Sequence, residues 1–322
     1  MDFQPTEDQR DLRAGVRGLL EGRYGREALR AAVDAAAGTG TGTGAAVDRG
    51  LWRELGEAGF FALRLPESEG GVGLGLPEAV LVFEEAGRAL VPGPLVATHL
   101  AAGVVPGAAA GTAVVTAFDL AGDLAGDLVA YLGEADAVLG AAVLPVGEPV
   151  RAADPLTPLH RVARPGGAEA SASASRSASV SAYVSEGALL TAALQVGSAL
   201  RTVELAVRYA GEREQFGQPI GAFQAVKHTC AQMLVRAEVA RTAVYAAAVT
   251  GDPGEAAAAK LLADGAAVRN ARDCLQVHGG MGFTWEADVH LHLKRAWVRA
   301  EQWRTAAEAE ELLAAELLDS AG

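Results

Sequence analysis

Cysteine, aromatic side chains and positive charge are all scarce in this sequence, and it holds no long apolar run. The two cysteines, Cys230 and Cys274, both fall on helix-patterned stretches. A disulfide framework is therefore not expected, and both read as small buried apolar residues in a reduced cytoplasm. No segment reaches the roughly 18 consecutive apolar residues of a membrane span, and the opening MDFQPTEDQRDLR lacks the apolar stretch of an export signal. The expectation is a cytoplasmic protein that does not enter membranes. Lys and Arg number 27 against 40 Asp and Glu, a net charge of −13. That argues against a nucleic-acid or anionic-membrane surface, since both need clustered cations, and leaves small molecules or other proteins as partners. Aromatics make up 5% while half the residues are apolar, alanine prominent among them; that balance favours helix over sheet. At 322 residues the chain is long enough for two or three cooperative units with a substantial core.

The texture changes twice along the chain. Residues 1–112 read as a helical domain: in TEDQ, Gln9 stands three residues after a Thr6 cap, and Leu12, Val16, Leu19 and Leu20 then fall on one helical face. A GTGTGTG linker follows at 38–44, and helical patterning resumes in LWRELGEAGFFAL and LPEAVLVFEEAGRAL. GVGLGLPEAV has closely spaced glycines but not the strand-then-helix setting of a dinucleotide fingerprint, so it reads as a loop. Residues 113–184 hold short β-prone pieces, TAVVTAF, DAVLGAAVLPV and RVARP, separated by Gly, Pro and Asp; this is a small β domain. Its last part, ASASASRSASVSAYVSEG, is either a weakly specified edge strand or a mobile loop.

Residues 185–322 carry the strongest helical signal. Leu194, Leu200, Val203 and Leu205 line a first long helix, and a second begins near Ala225 with Val226, Cys230, Met233, Leu234, Ala237 and Val244 at helical spacing. A third starts near Glu255 and a fourth runs from ADVHLHLKR to the end. Four long helices with short connections predict a four-helix bundle. Two connections carry the most chemistry. In REQFGQPIGAFQ, Arg213 offers a planar fork of donors suited to phosphate oxygens, Phe216 a flat face, and Gln224 an amide that donates and accepts. That set suits a phosphate-bearing aromatic ligand. In QVHGGMGFT, Gly279, Gly280 and Gly282 allow close approach to backbone N–H groups, which can hold a pyrophosphate. Taken singly, each has a plainer reading: Gly279 and Gly280 as a helix stop, Phe216 as a plug for the bundle end.

Taken together, R-x-x-F-G-x-P-I-x-x-F-Q and, about fifty residues on, Q-x-x-G-G-x-G-F resemble the C-terminal domain of the acyl-CoA dehydrogenase family. MDFQPTEDQRDLR, LWRELGEAGFFALRLPESEGGVGLGLPEAVLVFEEAGRAL and the following PGPL are similar to that family's helical N-terminal domain, so the resemblance spans about three-quarters of the chain. It implies a mainly α fold with a small middle β domain and a C-terminal four-helix bundle. It also implies a dimer or dimer of dimers with FAD bound across a subunit interface. Arg213, Phe216 and Gln224 would then contact the adenosine and pyrophosphate end of a flavin held largely by a neighbouring subunit. Gln276, Gly279 and Gly280 would line that pyrophosphate from the other chain, and Thr305 is retained in the segment that follows. The implied reaction is α,β-dehydrogenation of an acyl thioester, on coenzyme A or a carrier protein.

That reaction needs a carboxylate to take the α-proton while the β-hydrogen leaves as hydride. The family's usual glutamate, in a Tyr-Glu-Gly-Thr-like segment, corresponds to Trp303 in AEQWRT; the alternative place, at the start of the first C-terminal helix, corresponds to Gly187 in SEGALLT. Neither is an acid. Glu186 and Glu301 lie beside these positions as weak substitutes, with solvated helix-start and surface carboxylates as their plainer readings. The middle stretch departs as well: FDLAGD at 118–123 has no Ser or Thr at the flavin-facing place, and no Trp occurs between Trp52 and Trp285. Roughly 70 residues is also short for the family's β domain. His290 and His292, two apart in DVHLHLKR, point to different sides of a helix and are expected on a solvated face rather than in a metal site. His278 either touches phosphate or sits at an ordinary helix end. The resulting expectation is one subunit of a heteromeric acyl-CoA dehydrogenase whose partner supplies the base. A stand-alone enzyme with a relocated base and a non-catalytic binding or structural subunit are the alternatives.

Overall fold

The first helix begins where local chemistry dictates. Gln9 N–H donates to Thr6 Oγ1 at 3.2 Å and Thr6 N–H to Gln9 Oε1 at 3.0 Å, the reciprocal capping box that satisfies otherwise orphaned donors. In this computed structural model, which describes residues 5–38, 47–120, 126–163 and 183–320, the N-terminal part holds α1 (Glu7–Arg23), α2 (Arg26–Gly38), α3 (Arg49–Glu57), α4 (Leu76–Arg88) and α5 (Leu95–Leu100). GVGLGL is the loop leading into α4. The linker beyond Gly38, FDLAGD beyond Leu120 and the Ser/Ala stretch up to residue 182 lie outside the described residues.

The middle part is a small β region. β1 (Val115–Thr116) pairs in parallel with β3 (Ala137–Val138), and β2 (Asp127–Ala130), β5 (Leu159–Val162) and β4 (Gly147–Val150) form an antiparallel sheet in the order β2-β5-β4. The C-terminal part comprises α6 (Val184–Glu212), a hairpin of β6 (Glu214–Gln215) and β7 (Gln218–Pro219), α7 (Gln224–Thr250), α8 (Pro253–His278), α9 (Val289–Ala300) and α10 (Ala306–Ser320). Among the described residues no helix is long and apolar enough to cross a membrane.

α6 is the axis of the molecule: it packs on α7, α8 and α9 and also on α4 and α5. The α4–α6 crossing is a backbone contact. A Cβ on Gly197 would lie 1.8 Å from the Glu84 carbonyl oxygen, and one on Gly87 would lie 2.0 Å from that of Leu194, so only glycine permits this approach. The α7–α8 turn, TGDPGE, is written in capping residues: Gly251 at φ 68, then Asp252 accepting from Glu255 N–H at 2.8 Å, then Pro253 in the first turn.

Three expectations change in the fold. The fourth helix is broken into α9 and α10 at residues 301–305, because tertiary partners satisfy the broken ends. Lys260 Nζ donates to the Arg299 carbonyl at 3.0 Å, Trp303 N–H donates to the Asp119 carbonyl at 2.6 Å, and Thr305 with Glu308 forms the cap that starts α10. His292 is buried rather than solvated, with Nδ1 2.7 Å from Ser198 Oγ; burial, with the charges of Arg201, Arg299 and Arg295, pushes its pKa down to about 3. Leu234 is 47% exposed, unlike its buried neighbours Met233 and Ala237.

Candidate functional site

The REQFGQP stretch builds a projecting tongue. Phe216 and Gly217 both take left-handed backbone, at φ 54 and 77, the conformation of a two-residue hairpin turn between β6 and β7. Ile220 N–H donates to the Arg213 carbonyl at 2.8 Å and closes the hairpin. Arg213, Phe216 and Gln224 are all exposed, and Phe216 is 92% so. Phe216 thus stands in solvent at the tip, in a left-handed backbone conformation that non-glycine residues adopt uncommonly.

The tongue and the glycine connection occupy the same end of the bundle. Tyr209, four residues before Arg213, stacks on His278, the last residue of α8, with ring centroids 4.2 Å apart. His278 Nδ1 also lies 2.8 Å from the Cys274 carbonyl, so this ring braces the helix end rather than facing a ligand. Gln276 and Gly280 are exposed, and Cβ atoms added at Gly279 or Gly280 would meet nothing within 4 Å. The two connections, expected to meet one flavin from two different subunits, lie at the same end of the bundle within each chain. Sequence reading missed Tyr209, whose only signal was its place four residues before the motif.

At the opposite end of α6 the picture is closed. The indole of Trp303 sits directly on Gly187: a Cβ there would lie 2.2 Å from Trp303 Cδ2 and 2.4 Å from Cε3. The two places where an acid was sought therefore meet in space, and the ring fills both. Trp303 is 1% exposed and takes left-handed backbone at φ 61. Leu120 bridges Gln302, and Gln302 Nε2 donates to the Asp119 carboxylate at 2.8 Å, drawing the middle domain onto this loop. Beside the ring lies a cavity of about 30 Å³, bordered by Asp119, Leu194, Arg299, Gln302 and Trp303, room for one water. Burial and then the charge of Arg295 push Arg299 down to about 9, and its Nη1 donates to the Leu194 carbonyl at 3.3 Å. Although burial opposes its charge, the Asp154 carboxylate holds Arg295 above its ordinary value; Arg295 also donates to the Val91 carbonyl at 3.2 Å. This pair ties α9 to both other parts of the chain.

Neither weak substitute reaches that cavity. Glu186 is ion-paired with Arg64, and Glu301 is exposed at the end of α9. Thr305 Oγ1 is engaged by Glu308 at 3.0 Å. The exposed guanidinium, the exposed amide and the open glycine backbone suit the phosphate and adenosine end of an FAD, whereas the described residues beside Trp303 border a cavity of only about 30 Å³. Roughly 40 Å of helix, at 1.5 Å per residue, separates Gly187 from Arg213, longer than one extended dinucleotide.

Comparisons with known proteins agree with this architecture. Residues 6–117 match the family model described as acyl-CoA dehydrogenase, N-terminal domain, and residues 178–307 match acyl-CoA dehydrogenase, C-terminal domain. Acyl-CoA dehydrogenase IpdE2 of Mycobacterium tuberculosis is 35% identical, with 98% of this chain and 99% of the relative covered. The ChsE4-ChsE5 complex from Mycobacterium tuberculosis contains a chain of similar structure, with a TM-score of 0.78 at 25% identity and 99% of each chain covered. Butyryl-CoA dehydrogenase from Megasphaera elsdenii shares the fold, with a TM-score of 0.78 at 20% identity over 99% of this chain and all of its own.

Proposed function

The chain belongs to the acyl-CoA dehydrogenase family of FAD-dependent oxidoreductases, and from that premise we propose that it is one subunit of a heteromeric acyl-thioester dehydrogenase whose partner supplies the catalytic base. The observation that carries this reading is the Trp303 indole seated on Gly187. Indole takes no proton from a substrate α-carbon, Gly187 has no side chain, and Glu186 is committed to Arg64. Without a positioned base the chain alone forgoes typically about 10²- to 10⁴-fold of general-base catalysis.

Bound FAD supplies the acceptor for the β-hydrogen. This chain contributes at the other end of α6. Arg213 would hold a phosphate through its planar fork, Phe216 would cover the adenosine, and Gln224 with Gln276 would hydrogen-bond the same end. Gly279 and Gly280 would offer backbone N–H groups to the pyrophosphate. Because these groups lie so far from the closed cavity, the flavin they serve is a neighbour's. A relative solved as the ChsE4-ChsE5 complex supports assembly from two kinds of chain, and two free thiols, Cys230 and Cys274, suit a reducing cytoplasm. Retention of this exposed set argues against a purely structural subunit, which has no use for it.

The test is anaerobic mixing of the purified chain, FAD and a panel of acyl-CoA thioesters while following the oxidised flavin absorbance. Bleaching only in the presence of a second family subunit is the expected result. Bleaching by the isolated chain that vanishes in Glu301→Gln or Glu186→Gln would establish a relocated base instead.

A further inference from the structure

α7 carries two apolar stripes on opposite sides. Met233, Ala237, Ala240, Val244 and Ala247, spaced alternately four and three apart, are buried and covered by α6 and α8. Val235, Val239, Thr242, Ala246 and Val249 repeat the same spacing on the far side of the helix. This second stripe faces solvent: Val235, Val239 and Val249 are 61, 51 and 50% exposed, and Thr242 is exposed as well. A surface helix ordinarily turns charge outward, whereas a helix apolar on both sides is one covered on both. The spacing also names the cover, since a stripe that repeats four-three-four-three packs along another helix at a shallow angle.

The outer stripe can lose its water without stranding a polar group. Its one hydroxyl, Thr242 Oγ1, donates to the Glu238 carbonyl of its own helix at 2.9 Å. Glu238 is the single charge on that face between Ala231 and Val249, in a chain of which 21% is charged. Toward the tongue the face turns polar at the exposed Gln232 and His228, so the stripe is separate from whatever Phe216 touches. A net charge of −13 disfavours contact between copies through charged faces, which leaves a nearly uncharged one as the place to meet.

We propose that α7 is an interface between two copies of this chain, which pair antiparallel through this stripe. About a two-fold axis at Thr242 the stripe is its own complement: Val235 meets Val249 and Val239 meets Ala246 of the second copy. The two Glu238 side chains then stand about 12 Å apart along the helices, beyond the Debye length of about 8 Å at physiological salt. The assembly accordingly holds two copies of this chain beside any partner subunit. This adds to the function proposed above and does not rest on it.

Sedimentation of the purified full chain, alone and across micromolar concentrations, tests this. A contact along about 21 Å of helix lies at the small end of specific interfaces, so a micromolar monomer–dimer equilibrium is expected. Thr242→Arg puts two like charges on the axis and Val239→Glu one on each side of it; each should weaken dimerisation by about tenfold or more. Both positions are exposed, so the melting temperature of the monomer should stay near the parent's. In a Cys230→Ala background, Thr242→Cys should give a disulfide-linked dimer under oxidised glutathione, while Val235→Cys, which faces position 249, should not. The proposal is overturned if the chain stays monomeric throughout, if neither charged variant weakens the dimer, or if Val235→Cys cross-links as readily as Thr242→Cys. Variants that associate with themselves as before but no longer co-purify with a second family subunit would assign the face to that partner and overturn it too. The flavin assay reads the heteromer separately from this result.

Discussion

A methyl group added at Gly187 measures how firmly Trp303 is seated. In Gly187→Ala the new Cβ would lie 2.2, 2.4 and 2.8 Å from Trp303 Cδ2, Cε3 and Cε2, well inside contact distance, so the ring must move. Its freedom is small: Trp303 is 1% exposed and its N–H is fixed to the Asp119 carbonyl at 2.6 Å. Overpacking of this kind costs typically about 1–3 kcal/mol, offset by the roughly 0.5–1 kcal/mol that alanine gains over glycine in a helix. The net expectation is a loss of about 1–2 kcal/mol. In a Trp303→Ala background, itself destabilised by about 3–5 kcal/mol, the clash is gone and the same substitution should stabilise by about 0.5–1 kcal/mol. The coupling between the two sites is therefore about 2 kcal/mol, within the range for residues in contact. Urea unfolding of the four proteins, followed by far-ultraviolet circular dichroism, reads this directly. If Gly187→Ala has the same effect with and without the indole, the seating argument is wrong.

Other consequences can be measured separately. Arg213→Ala should weaken flavin retention in the assembled protein by about 1.5–3 kcal/mol, the worth of a charge-assisted bond; unchanged flavin occupancy at low FAD concentration would remove the assignment. Gly280→Val should act alike, because a branched side chain would stand where the backbone is now open, and full flavin content in that variant would reduce the glycine pair to a helix stop. Burial holds His99 down to about 4, so the unfolded chain, titrating near 6.5, binds the extra proton in between. Stability from this group is complete above about pH 6.5 and is lost as pH falls toward 4, by up to about 1.4 kcal/mol per pH unit. Urea midpoints at pH 7, 6 and 5 should fall less steeply in His99→Gln than in the parent. Arg295→Met should cost about 3–5 kcal/mol, because it strands the buried Asp154 carboxylate, and a thermal melt near the parent's would show that the pair is dispensable.

What the sequence reveals and what it hides differ in range. The start of α1 was legible because Thr6 and Gln9 settle it between themselves. The connection between α6 and α7 was legible as a break between helices, since its glycines and proline are local signals, but the β6–β7 hairpin it forms was not read from them. The break after α9 was not, because Lys260 reaches its carbonyl from 39 positions away and the Asp119 carbonyl that accepts from Trp303 belongs to the middle part. Alternation correctly set His290 and His292 on different sides of α9, yet nothing local says which side Ser198 of α6 will cover. The join between the two connections was equally hidden: Tyr209 and His278 sit in separate motifs and meet only by folding.

The seating of Trp303 against Gly187 also acts as a ratchet. A glutamate placed at position 303 would stand as a buried acid in the void left by the indole, and an acid introduced at 187 finds the ring already there. Either change made alone gives a weaker protein, and only the two together would open room for an acid. Sterics at a single helix start would thus hold the proposed division of labour in place against any one substitution.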